Sequence, residues 1–425
     1  MRPLLLGAIA DDVTGATDLG SMLSRNGMDV VQVLGLPRED EEAPEADAII
    51  VALKIRSAPA EEAVEQSLAA ARWLLAREVD QLFFKYCSTF DSTDSGNIGP
   101  VAEALLDLVG GDVTVVCPAY PENGRTVYQG HLFVGDRLLS ESGMRHHPRN
   151  PMTDADLVSV LGRQVRRPDS VGLIPLQTVE QGTAAIRVAL ARLKEGGVRF
   201  AVVDALKEDH LWSVATALPD WPLLTGSAGI ARGLPTNFRR TDALPQRIAP
   251  RLPDLHGPVA VLSGSCSDAT RAQVAALADV HPAILIDPRA LAEGRQTVDE
   301  LAAQSVEALE GGAVLIHSTA PPDEVERIQR ALGAARASEL LDAAFGEITA
   351  RLVDEGVRTF VLAGGETSGA VVARLGLRRL RFGPEIDTGV PWTQHLGEPP
   401  INVAFKSGNF GVEDFFLKAL DDADS

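Results

Sequence analysis

An alternation of short apolar runs with polar turns and helical patterns constrains the fold of this sequence more than any other feature. One run, Thr359–Ala363, leads into Gly364-Gly365-Glu366-Thr367-Ser368-Gly369 and then into an apolar helical pattern. This order predicts a strand, a tight turn and a helix. The same alternation begins at residues 4–10 and recurs along the chain. Because alternating strands and helices are typical of parallel sheets covered by helices, the sequence predicts an α/β fold.

The alternation is interrupted by a stretch rich in proline and arginine between residues 237 and 256. A chain of 425 residues is long enough for two domains with substantial cores. We therefore expect a first domain over residues 1–240, a linker over 241–257 and a second domain over 258–425. Each domain should hold a mainly parallel sheet flanked by helices, with the active site in the cleft between them.

The composition limits the partners of the chain. A formal net charge of −20 argues against nucleic acid or an anionic membrane surface as a partner. No apolar run approaches the length of a membrane-spanning helix, and no signal peptide is visible at the start. Cys87, Cys117 and Cys266 are far apart and form no metal pattern, which favours a reducing, cytoplasmic location. A homo-oligomer is compatible with the sequence.

Polar and charged side chains follow the predicted strands of the first domain. Ligands of open α/β sheets bind beyond the carboxyl ends of the strands, so these side chains indicate a ligand site. The loop over residues 85–97, dense in hydroxyls and carboxylates, is typical of polyol binding. The candidates are Asp11, Asp12, Thr14, Arg56, Lys85, Ser88, Thr89, Asp91 and Arg125. The alternatives are that Asp12 or Thr14 only caps a helix and that residues 85–97 are a solvated connection with Asn97 as a cap.

The segment over residues 142–149 is basic in an otherwise acidic protein. Its adjacent histidines, His146 and His147, are compatible with zinc, but no third ligand stands at a usable spacing. The interpretation that we favour is a lid facing an anion.

Three turns rich in glycine or serine follow predicted strands in the second domain, at residues 263–267, 364–369 and 407–411. Amides that open a helix lie at its positive end and suit a phosphate. Such loops gather at one edge of a parallel sheet, so three of them favour a nucleotide site where one alone would indicate a structural turn. The candidates are Ser263, Ser265, Gly364, Gly365, Glu366, Thr367, Ser407 and Gly408, with Glu366 also suited to a metal or a ribose hydroxyl.

Taken together, these motifs resemble the four-carbon acid sugar kinase family, in the family's order and over essentially the whole chain. The motifs are residues 10–16, the loop with Lys85, Ser88-Thr89 and Gly96-Asn97, and the turns at 364–369 and 406–411. The resemblance implies a substrate-binding N-terminal domain, a nucleotide-binding C-terminal domain and phosphorylation of four-carbon sugar acids by ATP. Residues 85–93, 121–130 and 139–144 resemble the members that act on 3-oxo-tetronates. Many threonate and erythronate kinases carry an arginine where Asp94-Ser95 stands here.

The resemblance also implies roles for the candidate residues. ATP would bind at the three turns together with Mg²⁺, for which no ligands are assigned. The carboxylate of the acid would meet some of Arg56, Lys85 and Arg125. Asp11 or Asp12 would accept the proton of the terminal hydroxyl, with Asp91 and Asp94 as the next candidates.

Three alternative functions stay open at this point. A threonate or erythronate kinase differs only in the acid. An NAD-linked dehydrogenase would need a GxGxxG motif in the first domain, and none is present. A sugar-acid sensor would bind without releasing ADP.

Overall fold

The computed structural model of the chain describes residues 4–245, 252, 257–408 and 410–423. The chain divides into two compact units, Met1–Pro250 and Arg251–Ser425. Most of the predicted linker over 241–257 lies outside the described residues, as does Asn409 of the last glycine turn.

The apolar runs form strands, numbered in chain order. In the first unit the strands are β1 (Leu6–Ala10), β2 (Val30–Leu34), β3 (Ala48–Ala52), β4 (Gln81–Lys85), β5 (Thr114–Cys117), β6 (Arg125–Tyr128), β7 (His131–Val134), β8 (Arg137–Leu138), β9 (Val171–Ile174), β10 (Phe200–Val203) and β11 (Leu223–Gly226). In the second unit they are β12 (Val259–Ser263), β13 (Ala283–Leu285), β14 (Ala313–His317), β15 (Thr359–Ala363), β16 (Arg379–Asp387), β17 (Val390–His395) and β18 (Ile401–Lys406).

Helices alternate with the strands. In the first unit the helices are α1 (Val13–Arg25), α2 (Ala60–Leu75), α3 (Ile98–Leu108), α4 (Leu157–Gln164), α5 (Leu176–Val179), α6 (Thr183–Glu195), α7 (Glu208–Thr216), α8 (Ala228–Ala231) and α9 (Leu234–Arg240). In the second unit they are α10 (Asp268–Ala278), α11 (Pro288–Ala292), α12 (Val298–Ala308), α13 (Pro322–Leu332), α14 (Ala334–Asp354), α15 (Gly365–Leu375) and α16 (Phe415–Ala423).

The sheet of the first unit has the strand order β2-β3-β1-β4-β11-β5-β10-β9, and its neighbouring strands are parallel. All five residues of β1 are buried, because helices cover parallel sheets on both faces. Strands β6, β7 and β8 form a separate antiparallel sheet. Since β3, β1 and β4 are adjacent and parallel, the segments that follow them begin at the same edge of the sheet.

In the second unit, β13-β14-β12-β15-β18 are parallel, and β17 and β16 extend that sheet as antiparallel strands. Ala260 and Leu262 belong to one apolar cluster, whereas Val259 and Val261 belong to another. Because successive side chains of a strand point to opposite faces, the sheet has a core on each side. The mainly parallel α/β architecture with flanking helices, predicted from the alternation, is confirmed.

Three strands, β2, β16 and β17, contain residues that interrupt their apolar pattern. In β2, Gln32 interrupts the apolar run, yet it is buried and its side chain accepts a hydrogen bond from Thr17. In β16 and β17, Pro384 and Pro391 argue against a central strand. The structure accommodates Pro384 at a register irregularity between Phe382 and Glu385.

Candidate active site

The carboxyl end of β1 carries two carboxylates that share one guanidinium. Arg56, which lies just beyond β3, donates from Nε to Asp11 Oδ2 at 2.9 Å and from Nη2 to Asp11 Oδ1 at 2.8 Å. The same Nη2 donates to Asp12 Oδ1 at 2.7 Å. Asp11 is only 2% exposed, and the guanidinium occupies both of its oxygens. Asp11 is therefore a fixed anchor for Arg56.

Asp12 differs from Asp11 in what its oxygens contact. Its Oδ1 also accepts a hydrogen bond from the Gly15 amide at 2.7 Å, so Asp12 does cap α1. Within the described residues, no donor contacts Oδ2. Burial raises the pKa of the Asp12 carboxyl above its ordinary value, outweighing the opposing charge of Arg56. Asp12 thus combines a role in the helix with a free carboxylate oxygen that is more basic than that of a solvated aspartate.

Lys85 ends β4 next to this pair. Its ammonium group is buried and donates to the carbonyl of Tyr86 at 2.9 Å. A Cβ atom added to Gly15 would lie 2.5 Å from Asp12 Oδ1 and 2.9 Å from Lys85 Nζ. Residue 15 must therefore be glycine for the two charged groups to approach the start of α1 so closely.

Asn97 holds the segment that carries Arg56. Its side-chain amide is buried and donates to the carbonyl of Ile55 at 2.7 Å and to that of Ala58 at 3.0 Å. Asn97 lies at the N-cap position of α3, but its side chain makes no capping hydrogen bond there, contrary to the alternative in which it only caps the helix. The motif residue instead fixes the main chain on both sides of Arg56.

A cavity of about 590 Å³ opens beside these residues. This volume lies in the ordinary range for small-molecule sites. The cavity is lined by Asp11, Asp12, Lys54, Arg56, Ser57, Ala58, Asp91, His147, Pro148 and Arg149. Part of the basic segment therefore does line the cavity, as a lid would. Asn150 ties that segment to two other residues of the lining, because its side chain donates to Ser57 Oγ at 3.1 Å and to the carbonyl of Asp91 at 3.2 Å.

Of the predicted substrate residues, Asp11, Asp12, Arg56 and Asp91 line the cavity. Thr89 supports Asp91, since its hydroxyl donates to Asp91 Oδ1 at 2.6 Å. Ser88 precedes Thr89 in a turn and is half-buried.

The structure places other candidates outside the lining. Thr14 is exposed in the first turn of α1. Arg125 lies in β6, where it donates to the carbonyl of Asn123. Asp94 is exposed and pairs with Arg163 at 2.7 Å.

The three turns of the second unit converge at one edge of its sheet. The amides of Gly264 and Ser265 donate to the carbonyl of Ala363, and the amide of Gly364 donates to that of Lys406. A Cβ atom added to Gly408 would lie 2.6 Å from Ser265 Oγ. The gathering of loops expected from parallel strands is therefore present in this unit.

Two glycines allow this close packing. A Cβ atom on Gly264 would lie 2.1 Å from Thr367 Oγ1. Gly364 has a φ angle of +117°, which side chains rarely permit. Because a glycine rather than a capping side chain precedes α15, its first amides have no side-chain acceptor. Amides at a helix start bind phosphate well.

Lys406 organises the last of the three turns. Its ammonium group is buried and donates to Thr270 Oγ1 and to the carbonyls of Ser407, Gly408 and Phe410, at 3.0 to 3.1 Å. Burial lowers the pKa of Lys406 to about 8. The sequence analysis assigns no role to Lys406 or to Thr270, although a charged residue that ends an apolar strand is a signal for such a role.

Thr319 is a further residue that the sequence analysis missed. Its hydroxyl lies 3.0 Å from Ser263 Oγ and donates to the carbonyl of Ser265 at 2.9 Å. Ser263 is fully buried, so its hydroxyl supports the turn. Ser265, Ser407 and Gly408 lie closer to the surface, as do Gly365 and Glu366.

Carboxylates near the start of α15 offer hard oxygen ligands. Glu366 is exposed and accepts a hydrogen bond from Ser338 at 3.4 Å. Burial and the negative charge of Glu366 raise the pKa of Asp342. The part of the chain that the structure describes contains no group of three or more metal-ligating side chains. One or two carboxylates completed by phosphate oxygens are the usual environment of Mg²⁺, and this pair fits it.

None of the described helices is both long and apolar enough to cross a membrane.

Two known families match separate parts of the chain. Residues 6–234 match the family described as "Sugar-binding N-terminal domain". Residues 260–416 match the family described as "Nucleotide-binding C-terminal domain". The cavity lies within the first match and the three converging turns lie within the second.

Curated relatives resemble the chain over nearly its full length. The 3-oxo-tetronate kinase of Pseudomonas fluorescens is 53% identical over 421 residues, which cover 99% of this chain and 97% of the relative. The 3-oxo-tetronate kinase of Burkholderia multivorans is 54% identical over 420 residues, with the same coverage. A crystal structure of a Haemophilus influenzae protein superposes with a TM-score of 0.90 at 41% identity, covering 98% of this chain and 99% of that one.

Proposed function

The chain belongs to the four-carbon acid sugar kinase family, and from that premise we propose that it transfers the γ-phosphoryl group of ATP to the C4 hydroxyl of a 3-oxo-tetronate. The observation that carries this proposal is identity above one half, over 99% of the chain, to two relatives that bear this activity in their names. A nucleotide-binding domain in the second half agrees with a kinase.

Asp12 is the general base in this proposal. The acceptor hydroxyl must lose a proton as its oxygen attacks the γ-phosphorus, and a carboxylate within hydrogen-bonding distance accepts that proton. The free Oδ2 of Asp12 and its raised pKa support this role, whereas both oxygens of Asp11 bond to Arg56. Arg56 and the Gly15 amide hold the Asp12 carboxylate in place and limit its motion.

The acid occupies the cavity of the first unit. Asp91, positioned by Thr89, would accept a hydrogen bond from a substrate hydroxyl. Ser88 and Thr14 stay as proposed hydroxyl contacts to the substrate. The cations that the sequence analysis names for the carboxylate of the acid are Arg56, Lys85 and Arg125.

ATP binds at the three converging turns of the second unit. The amides of Gly365, Glu366 and Thr367 and the surfaces of Ser265, Ser407 and Gly408 would contact the phosphates, with Ser263 and Gly364 as support. Free amides at the start of α15 support this assignment. Transfer requires the γ-phosphate to reach the acceptor hydroxyl.

Mg²⁺ is the proposed metal, and Glu366, next to Asp342, would hold it together with the phosphates of ATP. The ion would neutralise charge on the β- and γ-phosphate oxygens.

A panel of four-carbon acids tests the function. ADP release should be fastest with a 3-oxo-tetronate, and kcat/KM for D-threonate and for erythronate should be at least about 10-fold lower, since the family's members divide by acid. Turnover fastest with threonate or erythronate would favour the alternative kinase. Binding of the acids without ADP release would favour a sensor.

Replacement of Asn97 by alanine should raise the KM for the acid about 10-fold and leave the KM for ATP unchanged. The reason is that a small displacement of Arg56 and its neighbours impairs substrate positioning. Initial-rate kinetics with each substrate varied in turn would measure both constants. Ser95→Ala, an exposed change in the same segment, is the control and should behave as wild type. Equal changes in both KM values would contradict a positioning role for Asn97.

A further inference from the structure

Carboxylates and cations both line the cavity of the first unit, and they differ in whether they already have partners within the protein. The carboxylates of Asp11, Asp12 and Asp91 lie there together with Lys54, Arg56, His147 and Arg149. A sugar acid is an anion, so three carboxylates repel it unless cations face its carboxylate. Which cations are available for this contact follows from their partners.

The guanidinium of Arg56 is largely committed to the protein. It bonds to two carboxylates through three hydrogen bonds, so this group of three side chains carries more negative than positive charge. Lys85 is buried, donates to a main-chain carbonyl and does not line the cavity. Arg125 does not line the cavity either. None of these three cations offers the substrate carboxylate an uncompensated charge within the cavity.

Lys54 and Arg149 are in the opposite situation. Both line the cavity, and neither makes a hydrogen bond or an ion pair with any residue that the structure describes. They come from different segments of the chain, since Lys54 follows β3 and Arg149 ends the basic segment. Other cations of this acidic chain, such as Arg163 and Arg166, are paired with carboxylates. Two unpaired cations at one cavity are therefore available to a ligand.

His147 adds a hydrogen-bond donor to the same cavity. The amide of Asn150 donates to His147 Nδ1 at 3.1 Å, which makes Nδ1 an acceptor. In the neutral ring the proton is then on Nε2, which becomes a hydrogen-bond donor. The side chain of Asn150 also donates to Ser57 Oγ and to the carbonyl of Asp91, so the segment with His147 and Arg149 is attached to other residues of the lining.

We propose that Lys54 and Arg149, assisted by His147, form the subsite that binds the carboxylate of the sugar acid. The inference rests on the proposed function and specifies how the enzyme selects an acid over a neutral sugar. With the substrate carboxylate bound there, the far end of the molecule is left for Asp12. Arg149 provides a planar guanidinium that matches a carboxylate with two parallel hydrogen bonds.

The test compares the acid with a neutral ketose of the same length. Erythrulose has a CH₂OH group where a 3-oxo-tetronate has its carboxylate, and it retains the ketone and the terminal hydroxyl. In Arg149→Gln, kcat/KM for the acid should fall about 10- to 100-fold, because a charge-assisted contact is lost. The value for erythrulose should stay within about twofold. Lys54→Gln should act in the same direction, and Arg149→Lys should restore part of the preference.

Arg145→Gln is the matched control. Arg145 belongs to the same basic segment, is exposed and does not line the cavity. Its replacement should therefore leave unchanged the acid-to-ketose ratio, which is kcat/KM for the acid divided by kcat/KM for erythrulose. If turnover of erythrulose is slow, its inhibition of the reaction with the acid gives the binding constant of erythrulose.

Two results would overturn the subsite. One is an unchanged ratio in the Lys54→Gln/Arg149→Gln double variant, and the other is a ratio that collapses in Arg125→Gln alone. A wild-type enzyme that does not phosphorylate the acid would overturn the proposed function itself and the subsite with it. If the wild-type enzyme phosphorylates the acid and the double variant keeps the wild-type acid-to-ketose ratio, only the subsite is overturned.

Discussion

Replacement of Asp12 by asparagine is expected to lower kcat by about 100- to 10,000-fold, the usual contribution of a positioned general base. The amide keeps the size of the side chain, and its carbonyl oxygen can still accept the hydrogen bonds that Oδ1 accepts from Gly15 and Arg56. What the variant loses is the carboxylate oxygen that receives the proton. Single-turnover kinetics under saturating ATP and acid would measure the chemical step. Asp94→Asn, an exposed carboxylate paired with Arg163, is the control and should retain nearly full activity.

The pH dependence gives an independent measure of the same role. A general base must be deprotonated, so activity should fall as the pH falls through the pKa of Asp12. Because burial raises that pKa, the acid limb of kcat/KM should lie at higher pH than for a solvated aspartate. In Asp12→Asn this limb should disappear from the residual activity. Near-wild-type turnover in Asp12→Asn would transfer the role to Asp11 or Asp91.

Replacement of Gly364 by alanine is expected to raise the KM for ATP about 10- to 100-fold and to leave the KM for the acid unchanged. With φ at +117° and ψ at 136°, the residue lies where a side chain strains the backbone by about 1–3 kcal/mol. The new Cβ would also lie 3.1 Å from the amide nitrogen of Ser265, so the turns at residues 263–267 and 364–369 would have to separate. Initial-rate kinetics with ATP varied would measure the effect.

Gly369→Ala is the matched control for this change. Gly369 lies in α15, and a Cβ atom added there would meet no other atom within 4 Å. Alanine also favours a helix more than glycine does, by about 1 kcal/mol. The control should therefore bind ATP as the wild type does and unfold at the same or a higher temperature. If Gly364→Ala also kept the wild-type KM for ATP, the turn at 364–369 would not be part of the nucleotide site.

The sequence predicts the fold wherever periodicity and turn residues agree. The runs that became β1, β4, β12 and β15 have apolar centres and are bounded by polar or glycine residues, so their strands and the order of the motifs were predictable. The antiparallel pair β16 and β17 was not, because Pro384 and Pro391 argue against strands and only pairing with a neighbour overrides that preference.

In the candidate site too, positions set by the local sequence were predictable, whereas contacts between distant segments were not. The residues at strand ends, Asp11, Asp12 and Arg56, were predictable because parallel strands bring their carboxyl ends to one edge. The role of Asn97 was not, since its three carbonyl partners lie about 40 residues away in the chain. Nor does the sequence show which cation is available to a ligand. That Arg56 is bonded to Asp11 and Asp12 while Arg149 has no such partner among the described residues follows only from the three-dimensional contacts.

The position of the transferred phosphate tests the central claim most directly. The enzyme would be incubated with ATP, Mg²⁺ and a ¹³C-labelled 3-oxo-tetronate, and the product examined by ¹³C and ³¹P NMR spectroscopy. The account predicts one new phosphate ester, with coupling of ³¹P to C4 of the acid and formation of one ADP for each ester. A phosphate on another carbon, or ADP formed without any ester of the acid, would contradict it.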